Sequence, residues 1–346
     1  MKGVSIVGFA LVFMLSLSVL AGDPIAQMTF RVTDDFGNVV TGAPVTVSTF
    51  LRWVPGSGFG HDVDDSAKGV TDTNGVVVLK LPSKTGNMRY SVLAEGMYFD
   101  NMNKMKVSDA AYYRDMGGTL RFTNSVDGKW QPWNLTVDLQ IKKVLNPIPM
   151  YARFLRSGSF PIPAYNSSLG YDLIKSDWLP PYGKGETVDF IFRLDCQLGT
   201  TRADGIQLFD AVLTLSFTNN GDGIQEVVAP LQAGSVLRLS RFAPEMGYAS
   251  NWVSKTFAHG DGDYCEYKEN QSFYYRVRTR KDEGGLIISA LYGKIIGPLF
   301  YEVRKLGANM QMRYYLNPTP NDRNLEFDPN RNLLFDLPSL EQIKEP

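Results

Sequence analysis

From residue 134 to residue 141 the side chains alternate without a break: Leu135, Val137, Leu139 and Ile141 share one face, and Asn134, Thr136, Asp138 and Gln140 the other. A period of two puts successive side chains on opposite sides of an extended backbone, so this segment is predicted to be a strand with one buried and one wet face. Short runs rich in β-branched and aromatic residues, set between Gly, Asn and Asp, recur at 28–33, 45–49, 76–81 and 90–94 and predict further strands. In the second half Val188, Phe190, Phe192 and Leu194 alternate with Asp189 and Arg193, and Leu213, Leu215 and Phe217 alternate with Thr214, Ser216 and Thr218. Asn219-Asn220-Gly221-Asp222-Gly223 has the composition of a turn, which predicts a returning strand at 224–228. More strands are expected at 236–242, 273–279, 286–295, 299–303 and 310–316. Only 108–116 and 338–344 read as short helices, too short to define an architecture.

The expectation is therefore an all-β chain. Asn146-Pro147-Ile148-Pro149 removes two amide donors and imposes extended backbone. A domain boundary placed there leaves one β-sandwich over 26–142 and a larger sandwich or jelly-roll-like unit over 150–337. With 44% hydrophobic and 12% aromatic residues, the 346-residue chain can fill two cores.

Lys2, an uncharged apolar run over 4–19, and then Val19-Leu20-Ala21 make a secretory signal over 1–21. The alternative for this run is an uncleaved anchor, since its length approaches one membrane span. Export predicts a secreted, periplasmic or cell-surface location, with no membrane span once the signal is removed. In an oxidising compartment Cys196 and Cys265 are expected to pair, a cross-link worth about 4 kcal/mol in the chain-entropy model. The alternative is two free thiols. The 35 basic and 36 acidic residues nearly cancel, which argues against a nucleic-acid partner.

One resemblance rests on three stretches: Val32-Thr33-Asp34-Asp35-Phe36-Gly37-Asn38-Val39-Val40-Thr41-Gly42-Ala43-Pro44-Val45-Thr46-Val47, Gly69-Val70-Thr71-Asp72-Thr73-Asn74-Gly75-Val76, and Tyr90-Ser91-Val92-Leu93-Ala94-Glu95-Gly96-Met97-Tyr98. Together they resemble the carboxypeptidase regulatory-like domain, a transthyretin-like member of the Ig-like sandwiches. The resemblance implies a non-catalytic module that serves as folding partner, spacer or binding platform, and it transfers no catalytic residue. Independently of it, Gly37 and Gly75 stand where turns need positive φ, and Asp34 and Asp72 can accept bonds from turn amides. Two departures from the family pattern are the long excursion over 50–68 and the Met- and Tyr-containing segment over 101–116.

Few constellations suggest chemistry. The two histidines, His61 and His259, fall in different predicted domains and outside any nucleophile or zinc motif. Asp62, Asp64 and Asp65 form an oxygen-rich run that could hold calcium, or simply a solvated acidic loop; no other cofactor is indicated. Alternation over 273–280 puts Arg276, Arg278 and Arg280 on one face about 7 Å apart, from a rise of roughly 3.3 Å per residue. Such a row can bind the carboxylates or sulfates of an acidic glycan, or instead pair with strand neighbours such as Glu302 or Glu326. Trp130 with Trp133, and Trp53 with Phe59, could stack on sugars or fill hydrophobic corners. The Asn- and Pro-rich run over 314–324 reads as a loop covering a sheet end. The expected function is a non-enzymatic binding or structural protein of the cell surface or periplasm, partnered by a glycan or another surface protein. The alternative is a carbohydrate-binding protein or carbohydrate-active enzyme with its site in the second domain.

Overall fold

The computed structural model describes residues 22–49, 52–54, 61–63, 65–92, 94–98, 119–156, 158, 160–228, 235–259, 262–266, 268, 271–304 and 307–346. The expected signal over 1–21 and the expected helix at 108–116 lie outside these residues. Nearly every described element is a strand, so the chain is all-β.

The first unit contains β1 (Ile25–Asp34), β2 (Pro44–Thr49), β3 (Arg52–Val54), β4 (His61–Val63), β5 (Ser66–Val70), β6 (Val76–Pro82), β7 (Asn87–Val92), β8 (Thr119–Arg121), β9 (Asn124–Val126), β10 (Lys129–Gln131) and β11 (Leu135–Ile141). In one sheet β1 runs antiparallel to β6 and parallel to β11, with β10 and β9 extending it; the facing sheet has the order β5-β2-β7-β8. A separate hairpin joins β3 to β4 within the excursion. Alternation makes the core as predicted: Met28, Phe30, Val45, Val47, Leu139 and Ile141 are buried, while Arg31 and Asp138 pair on the outer face at 2.6 Å. The turns follow from their side chains. Asp34 Oδ1 accepts from the amides of Phe36 and Asn38, and Asp72 Oδ1 from those of Asn74 and Val76. Gly75 has φ of +70°, and a Cβ there would lie 2.7 Å from the Val32 carbonyl oxygen, so no other residue fits without a shift.

The second unit contains β12 (Tyr151–Leu155), β13 (Pro161–Ile162), β14 (Ser168–Asp172), β15 (Asp177–Trp178), β16 (Phe190–Thr201), β17 (Gln207–Ser216), β18 (Gly223–Val228), β19 (Asn251–His259), β20 (Gly262–Cys265), β21 (Gln271–Lys281), β22 (Ile287–Ile295), β23 (Phe300–Arg304) and β24 (Gly307–Leu316). A six-stranded sheet in the order β15-β14-β16-β17-β19-β20 faces a sheet built on β12-β24-β22-β21-β18, with β13 and β23 pairing to β24. Between them lies an aromatic core in which the rings of Tyr171, Trp178, Phe190, Phe192 and Tyr275 meet mostly edge to face. The outer face of the β12–β24 sheet is buried as well, beneath Leu239, Leu325, Phe327 and Ile343.

Four expectations are corrected. The turn over 219–223 does not return β18 beside β17: β17 pairs with β16 and β19, and β18 pairs with β21, so the turn carries the chain from one sheet to the other. Residues 236–242 do not form a strand; their backbone is held from outside, with Ser240 N donating to the Tyr274 hydroxyl and Leu325 N to the Arg241 carbonyl. The 338–344 segment is a single turn closed by Glu341 N on the Pro338 carbonyl, and the one helical element among the described residues is a 3₁₀ turn at Pro329–Arg331. Cys196 and Cys265 are both free thiols. Pairing registers place Cys196, Ala211, Thr256 and Cys265 in one row across β16, β17, β19 and β20. Three strand spacings separate the sulfur-bearing residues by about 14 Å, about twice the reach of a disulfide. The Thr256 hydroxyl donates to Cys265 Sγ instead, at 3.6 Å.

Candidate functional site

The two sandwiches meet through buried charge. Glu326 follows Leu325 on the strip of chain covering the outer sheet and is fully buried. Its carboxylate accepts from the Tyr98 hydroxyl at 2.5 Å, from the Leu145 amide at 2.6 Å and from the Asn146 amide at 3.1 Å. It also pairs with the Arg241 guanidinium. Arg241 is buried in turn, and its Nη2 donates at 2.8 Å both to Asp35 Oδ2 and to the Lys143 carbonyl. Lys142 Nζ donates to the Leu239 carbonyl at 2.7 Å, and Asn324 Nδ2 to the Asn146 carbonyl at 2.8 Å. Tyr98, Val236 and Leu237 pack beside these groups as a small apolar cluster. The proline-rich connection is thus threaded through the joint, its amides bonded on both sides.

Electrostatics match this geometry. Burial alone would raise the Glu326 pKa, but the bonds from Tyr98, Arg241 and the two connection amides outweigh it and hold the group below the ordinary carboxylate value. Burial lowers Lys142 to about 8, against the opposing pull of Asp35. Lys294, fully buried nearby on β22, donates to the Leu325 carbonyl at 2.7 Å beneath the Tyr315 ring, and burial lowers it to about 7.

At the mouth of the joint a cleft of about 440 Å³ is bounded by Asp35, Phe36, Gln140 and Lys142 from the first unit and its connection, and by Arg238, Ser240, Phe242 and Tyr274 from the second. A second cleft, about 520 Å³, opens at the far side of the second unit between β20 and β23, where Phe209, Tyr264, Cys265, Phe300, Tyr301 and Glu302 line it. On the outer side of that edge Phe257 stacks between His259 and Tyr264, with centroid distances of 4.3 and 5.2 Å.

The residues singled out from sequence are distributed differently. Arg276, Arg278 and Arg280 form no even row, because a bulge between Val277 and Arg280 leaves Arg278 at a φ of +54°. Arg276 stacks on Tyr248 and donates to the Gly221 carbonyl. Arg278 reaches back between the sheets and grips buried Asp189 with two bonds, at 2.8 and 2.9 Å, and Asp172 with one at 3.2 Å. These carboxylates, rather than Glu302 or Glu326, are its partners; Arg280 is exposed. Asp222 supports the bulge by accepting the backbone amides of Arg278 and Thr279. Of the acidic run, Asp64 lies outside the described residues, the description of Asp62 stops at its backbone opposite Trp53, and Asp65 is exposed with its amide donating to Thr49. The His259 ring meets exposed Asp210 at 2.8 Å. Trp130 donates to the Ser83 carbonyl, and Lys129 lies over Trp133. Phe59 lies outside the described residues, as does the Trp53 side chain.

The joint itself escaped the sequence reading, yet left a trace there. Arg241 sits in the run Leu237-Arg238-Leu239-Ser240-Arg241-Phe242, and Glu326 between Leu325 and Phe327. In both places a charge interrupts apolar chain and is buried, Arg241 with Leu239 and Glu326 with Leu325 and Phe327.

No family model matches the chain, and no curated protein matches it in sequence. Among solved structures it is similar to a streptococcal ancillary pilin, at 10% identity and a TM-score of 0.22 over 85% of this chain and 59% of that one. It is also similar to the shaft pilin of Lactobacillus rhamnosus GG, at 11% identity and a TM-score of 0.21 over 75% of this chain and 89% of that one. The chain spans 59% of the streptococcal pilin's length, and at these scores the likeness carries no argument about role.

Proposed function

We propose that this is an exported, non-enzymatic protein of the cell surface or periplasm whose two sandwiches act as one rigid structural and binding body. The buried joint carries the reading. A hinge between tandem domains needs a connection whose amides are free to exchange with water, whereas Leu145 and Asn146 both donate to buried Glu326. Export rests on the apolar run over 4–19 and the small-residue site at Ala21. The first sandwich is taken as a carboxypeptidase regulatory-like module serving as folding partner, a role supported by its carboxylate-capped turns at Asp34 and Asp72. A carbohydrate-binding role for the second unit is favoured by the stacked Phe257, His259 and Tyr264 beside the far cleft.

Two measurements test this. Fractionation of the native host should recover the chain outside the cytoplasm, shortened by its first segment; a cytoplasmic, full-length product removes the export reading. Small-angle scattering of the purified chain should fit one fixed arrangement of the two units, and a broad distribution of inter-unit distances would remove the rigid-body reading.

A further inference from the structure

We infer that the cleft at the joint binds a uronic-acid-bearing oligosaccharide, held by Arg238 and the orphan oxygen of Asp35 between the rings of Phe36 and Phe242. The inference rests on the reading above only for the compartment in which such a ligand is met.

The cleft combines features that exclude simpler ligands. Arg238 is half-buried and has no hydrogen-bond or ion-pair partner among the described residues, although it lines a cleft already holding the Lys142 ammonium. Asp35 Oδ2 is bonded to Arg241, but its Oδ1 is buried and has no partner among the described residues. A buried carboxylate oxygen without a donor is costly, and a ligand hydroxyl or ammonium group would relieve it. Phe36 and Phe242 are 65% and 53% exposed, one from each unit, large apolar rings left in water at the same opening.

Each ligand class can be weighed against this set. A purely apolar molecule would strip water from Arg238 and Lys142 without replacing it. A phosphate or sulfate ion would suit the two cations but push its oxygens against Asp35 Oδ1, an acceptor that needs a donor. A metal cation would suit Asp35 and be repelled by the amine and the guanidinium. A uronate meets every requirement: its carboxylate pairs with the Arg238 fork, a ring hydroxyl donates to Asp35 Oδ1, and its C–H faces lie against phenyl rings. The neutral amide of Gln140 faces the cleft for a further hydroxyl, and the volume falls within the range of small-ligand clefts, which favour domain interfaces.

The test is calorimetric titration of the purified chain with oligomers of galacturonate, glucuronate and mannuronate, with neutral galactose oligomers and an acidic peptide as comparisons. At least one uronate oligomer should bind, and its neutral counterpart should bind at least about tenfold more weakly, the scale of one lost charge-assisted contact. Arg238→Ala should weaken uronate binding by a similar factor with Tm unchanged, because no described partner depends on that side chain. Phe242→Ala, at an exposed position, should weaken it as well and serves if the arginine variant fails to fold. Equal affinity for charged and neutral oligomers, no uronate binding at millimolar concentration, tighter binding of the acidic peptide, or undiminished binding by a folded variant would each overturn the inference. A chain that fractionates outside the cytoplasm and scatters as one body but ignores uronates would lose this site and keep the function proposed above.

Discussion

Arg241 and Glu326 show how a buried charge pair behaves when both carboxylate oxygens and both terminal guanidinium nitrogens are bonded. The carboxylate takes a hydroxyl, a guanidinium and two amides, and the guanidinium takes two carboxylates and a carbonyl. Replacing one partner leaves the other desolvated and uncompensated, so Arg241→Met is expected to lower the unfolding free energy by about 3–5 kcal/mol in urea titration. Adding Glu326→Gln should recover part of that loss; a double variant no more stable than the single would mean that the glutamate charge is not what the guanidinium neutralises. The two buried lysines act in the opposite sense. Lys142 and Lys294 have folded pKa values of about 8 and about 7, both below the 10.5 of a free lysine. The unfolded chain therefore binds more protons than the folded one between these values and 10.5, and stability must rise with pH through that window. Urea midpoints should increase from about pH 7 to about pH 9, and Lys294→Met should flatten much of the slope and raise the midpoint on the acid side. An unchanged slope in that variant would place the titration elsewhere.

At the level of elements, period two was legible wherever one face of a strand met a core and the other met water. The residues of β1, β11 and β16 read correctly because Phe30, Leu139 and Phe192 are buried beside polar neighbours that are not. What escaped was decided by partners distant in sequence. β14, with Ser168 and Gly170 among its residues, has little strand character of its own and exists because β16 and β15 flank it. The segment over 236–242 alternates like a strand, but its amides and carbonyls find the Tyr274 hydroxyl, the Lys142 ammonium and the Leu325 amide instead of a ladder. The arginine row failed for the same kind of reason. Asp222, the residue just before β18, captures two amides of β21 and fixes the bulge that turns Arg278 toward Asp189. Asp222→Ala should therefore cost about 1–3 kcal/mol, the penalty for amides left without an acceptor, read as a fall in Tm. A Tm within experimental scatter of the parent would show that Arg278 alone sets the bulge. The joint cleft was invisible for a plainer reason: Phe36 and Phe242 are 206 residues apart in the sequence, and no local pattern links them.

Across the whole molecule, the apolar cores of the two sandwiches are connected by an interface that is mostly polar. Separate cores would ordinarily allow separate melting, because each sandwich buries its own side chains. The joint opposes this. Opening it would part Arg241 from Asp35 and the Lys143 carbonyl, Glu326 from the Tyr98 hydroxyl, and the Leu145 and Asn146 amides from their acceptor, while the Arg241–Glu326 pair stayed within the second unit. If the cost of opening exceeds the difference in stability between the two units, neither can unfold first. Scanning calorimetry of the intact chain is then expected to show one transition, with calorimetric and van't Hoff enthalpies in agreement. In Arg241→Met the bonds to Asp35 and the Lys143 carbonyl that cross the joint are lost, so the coupling is expected to fall and the single peak to divide into two. A wild-type chain that already melts in two resolved steps would mean that these bonds align the sandwiches without holding them, and the rigid body proposed for the surface would reduce to two modules on a short tether.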